Sequence, residues 1–86
     1  MVRKVRWSDK AASDRKNIAE SNKKSGARFA KSEDDKIKKG VDTIRLNNAI
    51  GLKNLHPKGI LYILEDKYKI LYRIDAGVIS IERIFW

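Results

Sequence analysis

Lys69, Arg73, Glu82, Arg83 and Trp86 carry the side chains in the last third of the chain that are suited to handling a phosphodiester. The cations can hold phosphate, an indole can stack on a base, and a carboxylate can move a proton. Their spacing gives the reason to group them. Tyr68-Lys69-Ile70-Leu71-Tyr72-Arg73-Ile74 alternates, and a strand has a side-chain period of two. Tyr68, Ile70, Tyr72 and Ile74 then form a core face, and Lys69, Leu71 and Arg73 form an open one. In the run from 78 to 86 the same rule sends Ile79, Ile81 and Phe85 to the core and leaves Ser80, Glu82 and Trp86 open. A β-bulge near the C-terminus would exchange Glu82 for Arg83 on that face. The same residues also suit plain cross-strand pairing, Lys69–Glu82 and Arg73–Glu82, with about 0.2–1 kcal/mol per pair.

His56 is the only histidine and the only side chain whose ordinary pKa lies near neutrality. It sits beside Pro57, Lys58 and Gly59, where it reads either as an acid–base group or as an exposed loop residue. Lys53, Lys58, Phe85 and Trp86 complete the candidate RNA contacts. A lone histidine without cysteine makes no zinc site, so neither metal nor cofactor is expected.

These residues need a scaffold. A short strand over 2–7 contains Val2, Val5 and Trp7, the last a candidate core anchor. Ser8 or Asp9 caps a helix reaching about Asn22 with a thin stripe of Ala11, Ala12, Ile18 and Ala19. Gly26 breaks the chain, Ser25 is a candidate cap, and a second helix runs from about Ala27 to Asn47. Ala30, Ile37, Val41 and Ile44 share one face of it. Glu33, Asp34 and Asp35 oppose Lys36, Lys38 and Lys39 on its wet side. Gly40 marks a close approach to the first helix. A loop spans Ala49 to Gly59, and strands follow near 60–65, 67–75 and 78–85, with turns at Glu65-Asp66 and Asp75-Ala76-Gly77. The predicted class is α+β. A helical hairpin packs on one face of a small, mostly antiparallel four-stranded sheet, in the order β-α-α-β-β-β.

Eighty-six residues make one domain with a thin stability margin. The net charge is +9, and residues 1–59 hold 16 Lys/Arg against 7 Asp/Glu, while residues 60–86 hold 4 against 4. The excess therefore precedes the last strands, and such a field attracts phosphate backbones or an acidic protein segment. The alternative reading is a solubilising lysine surface. No apolar run approaches the roughly 20 residues of a membrane span. The basic opening lacks an apolar signal core, so a cytoplasmic protein with no membrane partner is expected.

In this order, the chain resembles the RelE/ParE superfamily of toxins from type II toxin–antitoxin systems. Val5-Arg6-Trp7-Ser8-Asp9-Lys10-Ala11-Ala12-Ser13-Asp14 is similar to the family's strand followed by W-S-x-x-A-x-x-D. Leu52-Lys53-Asn54-Leu55 with Gly59 is similar to L-K-x-L…G, and Tyr68 to Ile74 to the signature strand Y-R-hydrophobic-hydrophobic-Y. Arg83-Ile84-Phe85-Trp86 stands where YoeB-type members end in R-Y-H-Y. The resemblance implies a toxin neutralised by a cognate antitoxin. RelE- and YoeB-type members cut mRNA in the ribosomal A site, and ParE-type members inhibit DNA gyrase.

The nuclease pattern is altered. Lys69 replaces the signature arginine, losing its bidentate phosphate geometry, and Phe85 replaces the terminal histidine. Ile60 and Tyr62 occupy the places of paired lysines, and Ile50 that of an acid. Ribosome-dependent mRNA cleavage, with Lys69, Arg73, Glu82, Arg83 and His56 as the catalytic set, is the leading expectation. Gyrase inhibition without nuclease activity, or antitoxin binding alone, are the alternatives.

Overall fold

A computed structural model describes residues 4–47, 52–56, 59–65 and 67–86, with the backbone alone for 52–56. The chain runs β1 (Lys4–Trp7), α1 (Asp9–Lys23), α2 (Ala27–Leu46), β2 (Leu52–His56), β3 (Gly59–Leu64), β4 (Tyr68–Asp75) and β5 (Val78–Phe85). The predicted α+β class and the helical hairpin on one sheet are borne out. The sheet gains a fifth strand, because β2 forms inside what the sequence presented as a loop. Its order is β1-β5-β4-β3-β2, with β1 parallel to β5 and the remaining pairs antiparallel.

Each helix begins for an identifiable reason. The Ser8 hydroxyl accepts a hydrogen bond from Ala11 N–H at 3.0 Å and donates one to the Glu82 carbonyl at 2.8 Å. One residue thereby caps α1 and fastens it to β5. Gly26, not Ser25, is the residue at the N-cap of α2. Its φ of +108° suits glycine, and no side chain caps that end. The hairpin between β4 and β5 turns on Ala76 and Gly77 at φ +49° and +79°, the two positive φ values that a two-residue type I′ turn requires.

The core lies between helices and sheet. Ala11 and Ile18 of α1 and Ile37, Val41 and Ile44 of α2 pack on Tyr68, Ile70, Tyr72, Ile79, Ile81 and Ile84. Val5, Trp7, Ile60, Tyr62, Leu64 and Ile74 are half-buried against them. The α2 stripe is the one the periodicity predicts, with Ala30 also buried. On α1, Ala12 is exposed and Asp14 is buried instead, because the inward face follows the spacing 11, 14, 18. Gly40 approaches the sheet, not the first helix: an added Cβ would lie 3.2 Å from both Ile70 and Leu64 side chains.

Candidate functional site

The face of the sheet away from the helices is built by alternation along β4 and β5. Lys69 and Arg73 are exposed on it, as the pattern of β4 requires. Leu71 lies on the same side but is buried to 2 % exposure, opposite Leu61 of β3. Gly59 explains part of that closeness, since a Cβ there would lie 2.6 Å from the Tyr72 carbonyl oxygen and 3.3 Å from the Leu71 side chain. Leu71 is thus covered rather than presented, and Lys69 and Arg73 are the exposed side chains of β4 on either side of it.

Strand β5 carries a bulge. Tyr72 pairs with Ile81 but Leu71 pairs with Arg83, so Glu82 is one residue too many for the ladder. Strict alternation predicted Phe85 in the core. The extra residue shifts the phase, so Ile84 is the buried residue and Phe85 stands opposite Lys69 on the open side. The expected Lys69–Glu82 cross-strand pair is absent for the same reason. Arg73 does pair with Glu82, at 3.0 Å, and Arg6 of β1 donates to the Ser80 hydroxyl at 3.3 Å beside it. Trp86 lies past the end of β5 and is 58 % exposed.

Arg83 is engaged elsewhere. Strand β1 stops at Trp7, opposite Ile81, which leaves the outer edge of β5 unpaired beyond that point. Asp14 of α1 fills the gap. Its carboxylate accepts from Ile84 N–H at 2.9 Å and from the Arg83 guanidinium at 2.7 and 3.0 Å. Burial pushes the Asp14 carboxyl up, but the bonds from Arg83 and Ile84 outweigh it and hold it below the usual range. Arg83 also lies 5.5 Å from the Phe85 ring centre.

A second buried acid fixes the other end of the helical hairpin. Glu33, 1 % exposed, accepts from Lys36 at 2.8 Å, from Lys67, and from the Tyr68 hydroxyl at 3.0 Å. Asn22 of α1 donates to the same hydroxyl at 3.3 Å. Hydrogen bonds from Lys36, then Lys67, then Tyr68 lower the Glu33 carboxyl to about 2 against its burial. Of the pairs expected among the acids and lysines of α2, only Glu33–Lys36 forms an ion pair. Glu33 faces the sheet, Asp34 reaches Arg15 of α1 at 2.7 Å, and Asp35 makes no ion pair.

The candidate residues therefore fall into separate groups. Arg73 and Glu82 are together, Lys69 is beside Phe85, and Arg83 is bound to Asp14. Lys58 and the side chains of Lys53 and His56 lie outside the described residues, although the backbone of His56 pairs with Gly59. Asp14 and Glu33 had not been singled out by chemistry. The available signal was an acid at a core-facing helix position. Among the described residues no group of His, Cys, Asp or Glu is arranged to hold a metal, and no helix is long and apolar enough to cross a membrane.

A two-helix layer on a mixed sheet, with cations on the open side and buried acids at the seam, defines a small α+β domain. Residues 5–85 match the family model described as the ParE toxin of the type II toxin–antitoxin system, parDE. The chain belongs to the ParE toxin family. Among solved structures it is similar to one described as the chromosomal ParDE TA system from P. aeruginosa. The TM-score is 0.84 at 23% identity, covering 96% of this chain and 94% of that one. At that identity the likeness concerns the fold alone. A search of curated proteins returned no match.

Proposed function

We propose that this protein is a toxin neutralised by a cognate antitoxin, and that once released it inhibits DNA gyrase by binding it rather than by cutting RNA. The observation that carries this reading is the family match to the ParE branch across residues 5–85. The geometry supports it. Of the expected catalytic set, Arg83 is held by Asp14 and Glu82 by Arg73. Phe85, standing opposite Lys69, has no proton to give. The open face, with half-buried Phe85 set among exposed Lys69, Arg73 and Arg6, suits an acidic protein surface.

The second reading, ribosome-dependent mRNA cleavage, is favoured by one feature. Lys69 and Arg73 are both exposed on the open face, and Arg73 retains 57% side-chain exposure despite its ion pair. General acid–base help adds only about 10²–10⁴-fold, so positioned cations alone retain some power to cleave.

Purified gyrase with relaxed plasmid separates the two. Loss of supercoiling at equimolar toxin, with no new A-site cuts in a translated message by primer extension, is the expected result. Intact supercoiling under a molar excess of toxin, together with A-site cuts that Lys69→Ala and Arg73→Ala abolish, would establish the nuclease instead. Growth unaffected by induction would leave antitoxin binding as the sole activity.

A further inference from the structure

The outer face of α2 concentrates exposed cations, as Lys10, Lys16 and Lys23 do more sparsely on α1. Arg28, Lys31, Ser32, Asp35, Lys38 and Lys39 are all exposed, and at 3.6 residues per turn they fall within an arc of about 120°. Most of them line one shallow groove. Among the described residues, none of these four cations makes an ion pair, whereas Lys36 beside them is taken up by Glu33 and Glu65. From Arg28 to Lys39 the arc holds no large apolar side chain. Phe29 turns instead toward the β3–β4 turn, where the Lys67 ammonium lies 5.2 Å from its ring.

That composition argues for one kind of partner. Protein interfaces are built round apolar cores and are depleted in lysine. Interfaces with duplex DNA are polar and strongly cationic, and phosphate contacts need only well-placed Lys and Arg. The stretch from Arg28 to Lys39 spans about 16 Å of helix axis at 1.5 Å per residue. Each strand of a duplex presents about one phosphate per 3.4 Å, so about five lie along that length of one strand.

We propose that the outer face of α2 binds the phosphate backbone of duplex DNA, so that the toxin engages gyrase together with its DNA. The link to gyrase rests on the proposed function; the DNA contact does not. Asp35, unpaired in the middle of the stripe, opposes the phosphates, and its removal strengthens binding.

The test is fluorescence anisotropy with a labelled 20-base-pair duplex across 50–200 mM NaCl, with no gyrase present. Four phosphate contacts give a slope of about −3.5 for log K against log salt. Each of Arg28→Gln, Lys31→Gln, Lys38→Gln and Lys39→Gln lowers the magnitude of that slope by about one. The pair Lys10→Gln and Lys16→Gln on α1, a loss of two charges against one for each α2 variant, leaves it in place. Asp35→Asn tightens binding several-fold, a gain that unfolding cannot imitate.

The proposal is overturned by any of three results. One is a duplex affinity that the four α2 variants together do not change. Another is an Asp35→Asn variant no tighter than wild type. The third is tighter binding of a 20-nucleotide RNA than of the duplex. DNA binding with supercoiling unaffected would keep this inference and remove the gyrase reading, and the converse pattern would do the opposite.

Discussion

The charges at the seam between helices and sheet behave differently from those on the outer faces. Asp14 and Glu33 are buried, and each gathers donors from strands far along the chain. Arg28, Lys31, Lys38 and Lys39 are exposed and unpaired. The seam is centred on acids and the outer face of α2 on cations, and the two also differ in how many partners the fold brings within reach. A buried carboxylate without donors is too costly to keep, whereas an exposed lysine needs none. Asp14 and Glu33 are therefore drawn inward to hold the layers, while the cations on the outer face of α2 stay exposed.

Glu33 offers the largest break in that contrast. Its folded carboxyl lies at about 2 against an ordinary 4.5, so its stabilisation is complete above pH 4.5 and is lost as pH falls toward about 2. The melting temperature of the wild type should fall more steeply across that window than that of Glu33→Gln, as followed by circular dichroism. Equal slopes would place the acid-sensitive group elsewhere. Asp14→Ala comes next. It leaves the buried Ile84 N–H without an acceptor, which costs about 1–3 kcal/mol in urea denaturation. Asp14→Asn, retaining an acceptor, should lose less.

The Arg15–Asp34 pair between the helices lies between the two regimes, with each side chain about one-third exposed and Arg15 also 5.1 Å from the Trp7 ring. A double-mutant cycle with Arg15→Gln and Asp34→Asn should return a coupling of about 0.2–1 kcal/mol. A value well above that range would move this pair to the buried class. Smallest of all, Lys39→Gln should leave the unfolding midpoint within about 0.5 kcal/mol of wild type while weakening DNA binding. A substantial loss of stability there would dissolve the distinction between anchored and available charge.

How much of this was legible in the sequence follows the range of the interactions. The alternation of β4, the inward stripe of α2 and the Asp75-Ala76-Gly77 turn depend on neighbours in the chain, and all three are as the residues imply. Glu33 looked like one of three acids on a wet face. The spacing 30, 33, 37 turns it inward, but the donors that let a carboxylate stay there, Lys67 and Tyr68, lie more than thirty residues away, and no helical period reports them. The placement of Phe85 failed for a related reason. The bulge occurs where β1 ends and Asp14 takes over the β5 edge, an arrangement among three separate elements. For the site, the exposure of Lys69 and Arg73 followed from alternation, but the capture of Arg83 by Asp14 did not.

The bulge at Glu82 has a consequence for how this surface can vary. Ile81 and Ile84 stay on the core side because a residue outside the ladder separates them from simple alternation. Removing Glu82 would restore an unbroken two-residue rhythm and keep Arg83, Ile84 and Phe85 on their present sides. The position is thus a spare beat in the strand. Sequence drift at Glu82 can retune Arg73 and the open face while the hydrophobic layer beneath keeps time.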